Sequence, residues 1–187
     1  MKRLANMTVG KTHSGKTTFA KALEKELSNS VVIDQDNHAE FLQSYYKRLM
    51  PKRGPNIIKY SITKTIVDYA AAETDCHIIL CNSNRNQKDR QKMLEYYHSR
   101  QFTSILVSFN IPDDVLRRRI MASQRSTSVL RVASSFLEVL SRQQAESDQG
   151  DIKAPAEGEA DYLLNIGHPD DVTEVIRILA DISMRLD

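Results

Sequence analysis

Residues 10 to 18 read Gly10-Lys11-Thr12-His13-Ser14-Gly15-Lys16-Thr17-Thr18. This is a glycine, four residues, a second glycine, a lysine and a hydroxyl residue, the pattern of a phosphate-binding loop. Few short motifs constrain a fold as tightly, because each fixed position has its own physical task. Gly10 and Gly15 allow backbone conformations that residues with a Cβ resist. Successive N–H groups can then turn inward around an anion. Lys16 has the reach for terminal phosphates, and the Thr17 hydroxyl is a ligand for Mg²⁺. The nine residues Gly10, Lys11, Thr12, His13, Ser14, Gly15, Lys16, Thr17 and Thr18 are therefore the expected nucleotide-binding set. The flanks agree. Leu4, Ala5, Met7 and Val9 predict a buried strand before the loop, and Phe19, Ala20, Leu23 and Leu27 recur at helical spacing after it. A helix start is thereby aimed at the anion.

Four further strand-like runs follow, at 30–33, 77–81, 104–109 and 162–166, with helical patterns between them. This alternation predicts a parallel sheet covered on both faces. Ile58, Ile62 and Ile66 mark one helix, Met93, Leu94 and Tyr97 another. Pro112, followed by Asp113 and Asp114, opens a further one, as a preset proline and dipole-matching acids do. A last helix begins near Asp170, with Val172, Val175, Ile176, Leu179 and Ile182 on one stripe. Residues 36–50 look less regular, and 149–159 read as a loop. With 187 residues, a single domain over 1–187 is expected. A net charge of +2 gives no global field for nucleic acid or membrane. Cys76 and Cys81 are too few for a disulfide framework, and zinc spacing is absent, which suits a reducing compartment. The first strand begins almost at once, leaving no room for a signal peptide, and no apolar run reaches the length of a membrane span. A cytoplasmic location is the expectation.

Ligands on such sheets sit at the carboxyl ends of strands. After the second strand comes Asp34-Gln35-Asp36-Asn37-His38. Alternate carboxylates on an extended strand end share a side. Asp34 is assigned to the metal and Asp36 to accepting a proton from a substrate hydroxyl; His38 reads as a surface or capping residue. After the third strand, Asn82 stands where many nucleotide-hydrolysing proteins carry a metal-linked aspartate. Asn84 and Arg85 are substrate-binding candidates, and Arg90 suits an anion or a charged pair. After the fourth strand, Arg117, Arg118, Arg119, Arg125 and Arg131 crowd into fifteen residues. Arg125, beside Ser126, Thr127 and Ser128, is the expected catalytic arginine closing over a transferring phosphoryl group, with Arg119 next and Arg131 on the substrate. Arg117 reads as solvated. Lys47, Arg48, Lys52 and Arg53 surround Met50 and Pro51 beside Tyr45 and Tyr46. That patch reads as a solvated loop with two core-facing tyrosines, over the alternative of a nucleic-acid end contact.

With these motifs, nearly the whole chain resembles the small P-loop kinases, a group that includes polynucleotide kinases, gluconate kinases and zeta toxins. The stretch 34–38 is similar to the Asp-Gly-Asp-x-x-His of gluconate kinases and the Arg-Asp-Asp-Tyr of polynucleotide kinases. In the latter comparison Asp36 falls on the aspartate that activates the acceptor hydroxyl. Asn82 to Asn86 with Arg90 resembles their Asp-Thr-Asn-x-Asn and following Arg. Pro155 to Tyr162 resembles a segment that, in such kinases, lies near the nucleotide base. Asn82 departs from the family aspartate, and five residues lie between Arg119 and Arg125 where the family often has three. The resemblance implies a three-layer α/β nucleoside-triphosphate-binding fold. It would have a five-stranded parallel sheet, helices on both faces and a small helical lid, here about 117–147.

These readings converge on an ATP- and Mg²⁺-dependent phosphotransferase. Lys16, Asp36, Arg125 and Arg119 would be catalytic, Thr17 and Asp34 would hold the metal, and Asp36, Asn84, Arg85 and Arg131 would meet the acceptor. That acceptor is a hydroxyl of a small metabolite, a nucleoside or a polynucleotide 5′ end. The competing reading is a nucleotide-binding switch or hydrolase acting through a partner. GTP is disfavoured, since no Asn-Lys-x-Asp guanine signature occurs.

Overall fold

The computed structural model of the chain describes residues 2–127, 130, 133–147 and 152–186. Five strands, β1 (Arg3–Gly10), β2 (Ser30–Ile33), β3 (His77–Leu80), β4 (Phe102–Phe109) and β5 (Tyr162–Ile166), form one sheet in the order β2-β3-β1-β4-β5. Every pairing is parallel. Seven helices alternate with them: α1 (Lys16–Glu26), α2 (Gln35–Tyr45), α3 (Ile57–Glu73), α4 (Gln87–His98), α5 (Asp113–Ala122), α6 (Phe136–Ser147) and α7 (Asp171–Met184). The parallel five-stranded sheet with helices on both faces is the fold expected from the alternation.

Strands of an all-parallel sheet are buried on both faces, and β1 and β4 are so along almost their whole length, their apolar residues interrupted by the buried Asn6 and Thr8 and by Ser104 and Ser108. One face of the sheet packs Phe19 and Leu23 of α1, Leu116 of α5 and Val175, Ile176 and Leu179 of α7. The other face packs Val67, Ala70 and Ala71 of α3 with Leu94 and Tyr97 of α4. β1 lies at the centre of the strand order, and its two neighbours leave toward opposite edges. The loop that follows it therefore opens at a topological switch point, where open α/β sheets bind ligands.

Three local expectations need correction. Residues 35–45 are a helix, not irregular, because Asp34 caps it by accepting the N–H of Asp36 at 2.9 Å. The buried face of α3 is Thr63, Val67, Ala70 and Ala71, one residue on from the isoleucine stripe, and Ile66 is exposed. The Thr63 hydroxyl donates to the Lys59 carbonyl, so His38 Nδ1 is the donor in its 2.8 Å bond to Thr63. Tyr45 and Tyr46 are 75% and 47% exposed, so they do not face the core.

Arg3 ties α3 to the sheet. Its guanidinium donates to the carbonyls of Ala70, Ala71 and Thr74 and stacks 4.1 Å over Phe102. A cation there satisfies the orphan carbonyls of the helix end and matches its dipole. No helix among the described residues is long and apolar enough to cross a membrane.

Candidate functional site

A cavity of about 1410 Å³ opens above the carboxyl ends of β1, β2 and β3. Its floor is the loop from Thr12 to Thr18. Gly15 has φ 101° and His13 φ 57°, so two residues turn the loop left-handed. Gly10 serves differently from the expectation. A Cβ there would lie 2.9 Å from Phe109 Cβ, so the requirement is space against β4. Lys16 Nζ donates to the Lys11 carbonyl at 2.5 Å and to Ser14 Oγ at 3.1 Å, which holds the ammonium inside the turn. Burial pushes its pKa down to about 8. α1 starts at Gly15 with no side-chain cap and no acid in its first turn, leaving its dipole to an incoming anion.

Gly10 and Lys11 do not line the cavity; the Lys11 ammonium turns away to Asp113 at 2.7 Å. Thr12, His13, Ser14, Gly15, Lys16, Thr17 and Thr18 do line it. Thr12 N–H already donates to Gln143 Oε1 at 2.8 Å, and the His13 ring meets Phe136 edge-on at 4.8 Å. Burial foremost, then the charges of Arg125 and Lys16, holds the His13 pKa below the usual histidine range.

The carboxylates of the second strand end occupy two environments. Asp34 is 4% exposed, and its Oδ2 accepts the Thr17 hydroxyl at 3.4 Å. Burial raises its pKa, although the Asp36 N–H opposes the shift. Two hard oxygen donors converge here beside the buried Cys81, whose thiol is pushed up to about 11 chiefly by burial. No group of three metal-ligating side chains exists among the described residues. A cation that keeps waters and phosphate oxygens as its other ligands fits this donor set. Asp36 lies further out, with its carboxylate half exposed and 2.5 Å from Arg125 Nη2. The Arg125 guanidinium also lies 5.1 Å over the Phe136 ring. Arg119 reaches the loop itself, donating to the carbonyls of His13 and Ser14 at 3.3 Å.

The segment after β3 serves the fold instead of the cavity. Asn84 donates to the Thr8 carbonyl and does not line the cavity. Arg85 clamps the end of α6 through Glu146, Ser147 and the Gln143 carbonyl. Arg90 is 1% exposed and gives its guanidinium to Glu159 and to two backbone carbonyls. The side chains of all three are thus turned to the protein itself, and none of them lines the cavity. Asn82 Oδ1 accepts the N–H of Gln35, so it braces the β2–α2 junction. Arg131 and Ser128 lie outside the described residues. Arg117 bonds Gln144 at the surface.

Several lining residues had no signal in the sequence. Phe136 and Gln143 of α6 reach the loop from a distant part of the chain. Ile166, Pro169 and Val172 wall the cavity at the β5–α7 turn. The strand-end rule pointed there, but no chemical motif marked it. Glu159 and Asp161, from the segment similar to a base-proximal one, instead hold Arg90 and the Ser104 N–H.

The AAA_33 family, described as an AAA domain, matches residues 6–146. No curated protein sequence matches the chain. Among solved structures, a Chloroflexus aurantiacus protein provisionally called a kinase is 19% identical, covers 98% of this chain and 97% of its own, and has a TM-score of 0.67. Shikimate kinase from Bacteroides thetaiotaomicron is 18% identical over 97% of this chain and 98% of its own, with a TM-score of 0.58. The APS kinase of Mycobacterium tuberculosis, solved with AMPPNP and APS, is 16% identical over 96% of this chain and 99% of its own, with a TM-score of 0.55. The chain thus belongs to the AAA_33 family of AAA domains and carries the fold of the small P-loop kinases.

Proposed function

We propose that the protein is an ATP-dependent phosphotransferase that moves the γ-phosphoryl group to a hydroxyl. The observation that carries this reading is that Lys16, Thr17, Asp34, Asp36, Arg119 and Arg125 all line one cavity. A switch or simple hydrolase has no use for an exposed carboxylate at the mouth opposite the phosphate loop. The volume also exceeds the roughly 300–1,000 Å³ of a single-ligand pocket, as two substrates require.

In this reading the triphosphate lies on Thr12 to Thr18, with the base toward Ile111, Ile166, Pro169 and Val172. Mg²⁺ would be held by Thr17 and Asp34, and supplies charge neutralisation on the phosphate oxygens. Lys16 exchanges the Lys11 carbonyl and Ser14 hydroxyl for phosphate oxygens. Asp36 takes the proton of the acceptor hydroxyl as the acceptor oxygen bonds to the γ-phosphorus, while the bond from that phosphorus to the β–γ bridging oxygen breaks and ADP leaves. Arg125 must first leave Asp36. A half-exposed pair of this kind contributes only about 0–1 kcal/mol, so a polyphosphate can draw the guanidinium over. There, with Arg119, it stabilises charge on the transferring group. Residues 117–147 act as the lid that carries both arginines and excludes water.

The acceptor is a small metabolite, a nucleoside or a polynucleotide 5′ end. A screen with radiolabelled ATP over sugars, nucleosides and 5′-hydroxyl oligonucleotides tests the reading. Label should move to at least one alcohol, and Lys16→Ala should abolish the transfer. ATP consumed equally with and without every acceptor refutes it.

A further inference from the structure

One acid-free basic stretch of this chain lies apart from the arginines at 117–131. Residues 41–67 contain Lys47, Arg48, Lys52, Arg53, Lys59 and Lys64 and no acid. The whole chain carries only +2, so the other 160 residues together carry −4. Lys47, Arg48, Lys52 and Arg53 are exposed, and no ion pair engages them among the described residues. The same stretch holds exposed rings. Phe41 is 44%, Tyr45 75%, Tyr46 47% and Tyr60 48% exposed. Phe41 centres a cluster, with Tyr45 at 5.3 Å and Tyr46 at 5.6 Å between ring centroids.

Exposing aromatic rings is costly for a soluble fold unless a partner covers them. Lys47, Arg48, Lys52 and Arg53, interleaved with exposed rings, match the way sequence-tolerant proteins hold single strands, with bases stacked on rings and phosphates against lysine and arginine. The patch is also continuous with the cavity, because Met50, Gly54, Pro55, Asn56, Lys59 and Tyr60 line the mouth on the Asp36 side. A polyanion with one end at Asp36 would leave the protein across this patch.

We infer that the face formed by the end of α2, residues 46–56 and the start of α3 binds single-stranded nucleic acid, with its 5′ end directed into the Asp36 side of the cavity. Only the direction of the end rests on the phosphotransfer reading. The binding itself rests on charge and rings outside the phosphate loop.

The test is fluorescence anisotropy of a labelled oligothymidylate of about 16 nucleotides bearing a 5′ hydroxyl, without ATP. The strand should bind, and log affinity should fall with log salt at a slope near −3, about −0.7 per phosphate contact for four contacts. Replacing Tyr45 and Tyr46 by alanine should weaken binding at least tenfold. Reversing charge at Lys52→Glu and Arg53→Glu should cut the salt slope by about half. Both variants should melt as the parent does and bind an ATP analogue unchanged, which separates lost contact from lost fold. No binding at 50 mM salt overturns the inference, as does binding that both variants retain in full. Preference for vesicles of anionic phospholipid over the oligonucleotide, lost in the same variants, makes the face a membrane contact and overturns it equally. If strand binding fails while label still moves to a small alcohol, the phosphotransfer reading survives alone. If strand binding holds and no alcohol is labelled, the surface survives alone.

Discussion

Arg90 and Arg125 each meet one carboxylate, and the two pairs differ in almost everything else. The Arg90–Glu159 pair is sealed, with side chains 0% and 6% exposed, and two backbone carbonyls take further guanidinium donors. The Arg125–Asp36 pair sits open, at 37% and 51% exposed, over an aromatic ring at the cavity mouth. Identical functional groups thus form an anchor in one place and a latch in the other. Solvent decides which. A sealed pair leaves an uncompensated charge when either partner goes, whereas an open pair yields each partner to water at little cost.

The largest effect should therefore fall on the fold. Arg90→Ala should destabilise the protein by about 3–5 kcal/mol, the usual toll for stranding a buried charge. Chemical denaturation measures it, and a loss under 1 kcal/mol would put the two pairs in one class. Asp36→Asn comes next. It should leave stability and ATP-analogue binding near the parent values while slowing phosphotransfer about a hundredfold or more, the scale of a general base. Full activity in that variant would make Asp36 an architectural residue like Glu159. Arg125→Ala should slow transfer tenfold or more with stability shifted by no more than about 0.5 kcal/mol. Should it instead unfold the protein, the latch is an anchor too.

The smallest effect concerns Lys16. Its pKa in the fold is about 8, against its ordinary 10.5, so the folded state binds fewer protons than the unfolded one between those values. Stability of the free protein should rise with pH through that window, and the cost of burying the ammonium is constant below it. Lys16→Met should flatten the rise and lift the melting temperature at pH 7. A pH profile from 7 to 10 identical in both proteins would show that the ammonium is not under strain.

The fold was written plainly in the chain because its determinants are local. Leu4 to Val9 and the strand at 104–109 are apolar apart from Asn6, Thr8, Ser104 and Ser108, and Pro112 starts α5 where its fixed φ suits. The phosphate loop was equally legible, since its residues are consecutive and its work is done by backbone. The rest of the cavity depends on which side chains the fold brings together. Arg85, Arg90 and Arg125 look alike in sequence, and only Glu146, Glu159 and Asp36, each more than 60 residues away, separate their uses. Gln143 capping the Thr12 N–H is of the same kind, a contact across 131 positions. The α3 stripe misled for a different reason. Isoleucine spacing suggested the inner face, but the face that packs inward is Thr63, Val67, Ala70 and Ala71, with Thr63 held there by His38.

Phe109 lines the candidate nucleotide cavity, and its Cβ presses on the space that Gly10 leaves empty beneath it. One residue thus does two separable jobs, its Cβ and carbonyl oxygen crowding the glycine turn while the residue also lines the chamber. Anyone re-engineering this scaffold for a bulkier cofactor could therefore trim that phenyl group and leave position 10 as it is, because the Cβ that abuts the glycine turn stays behind.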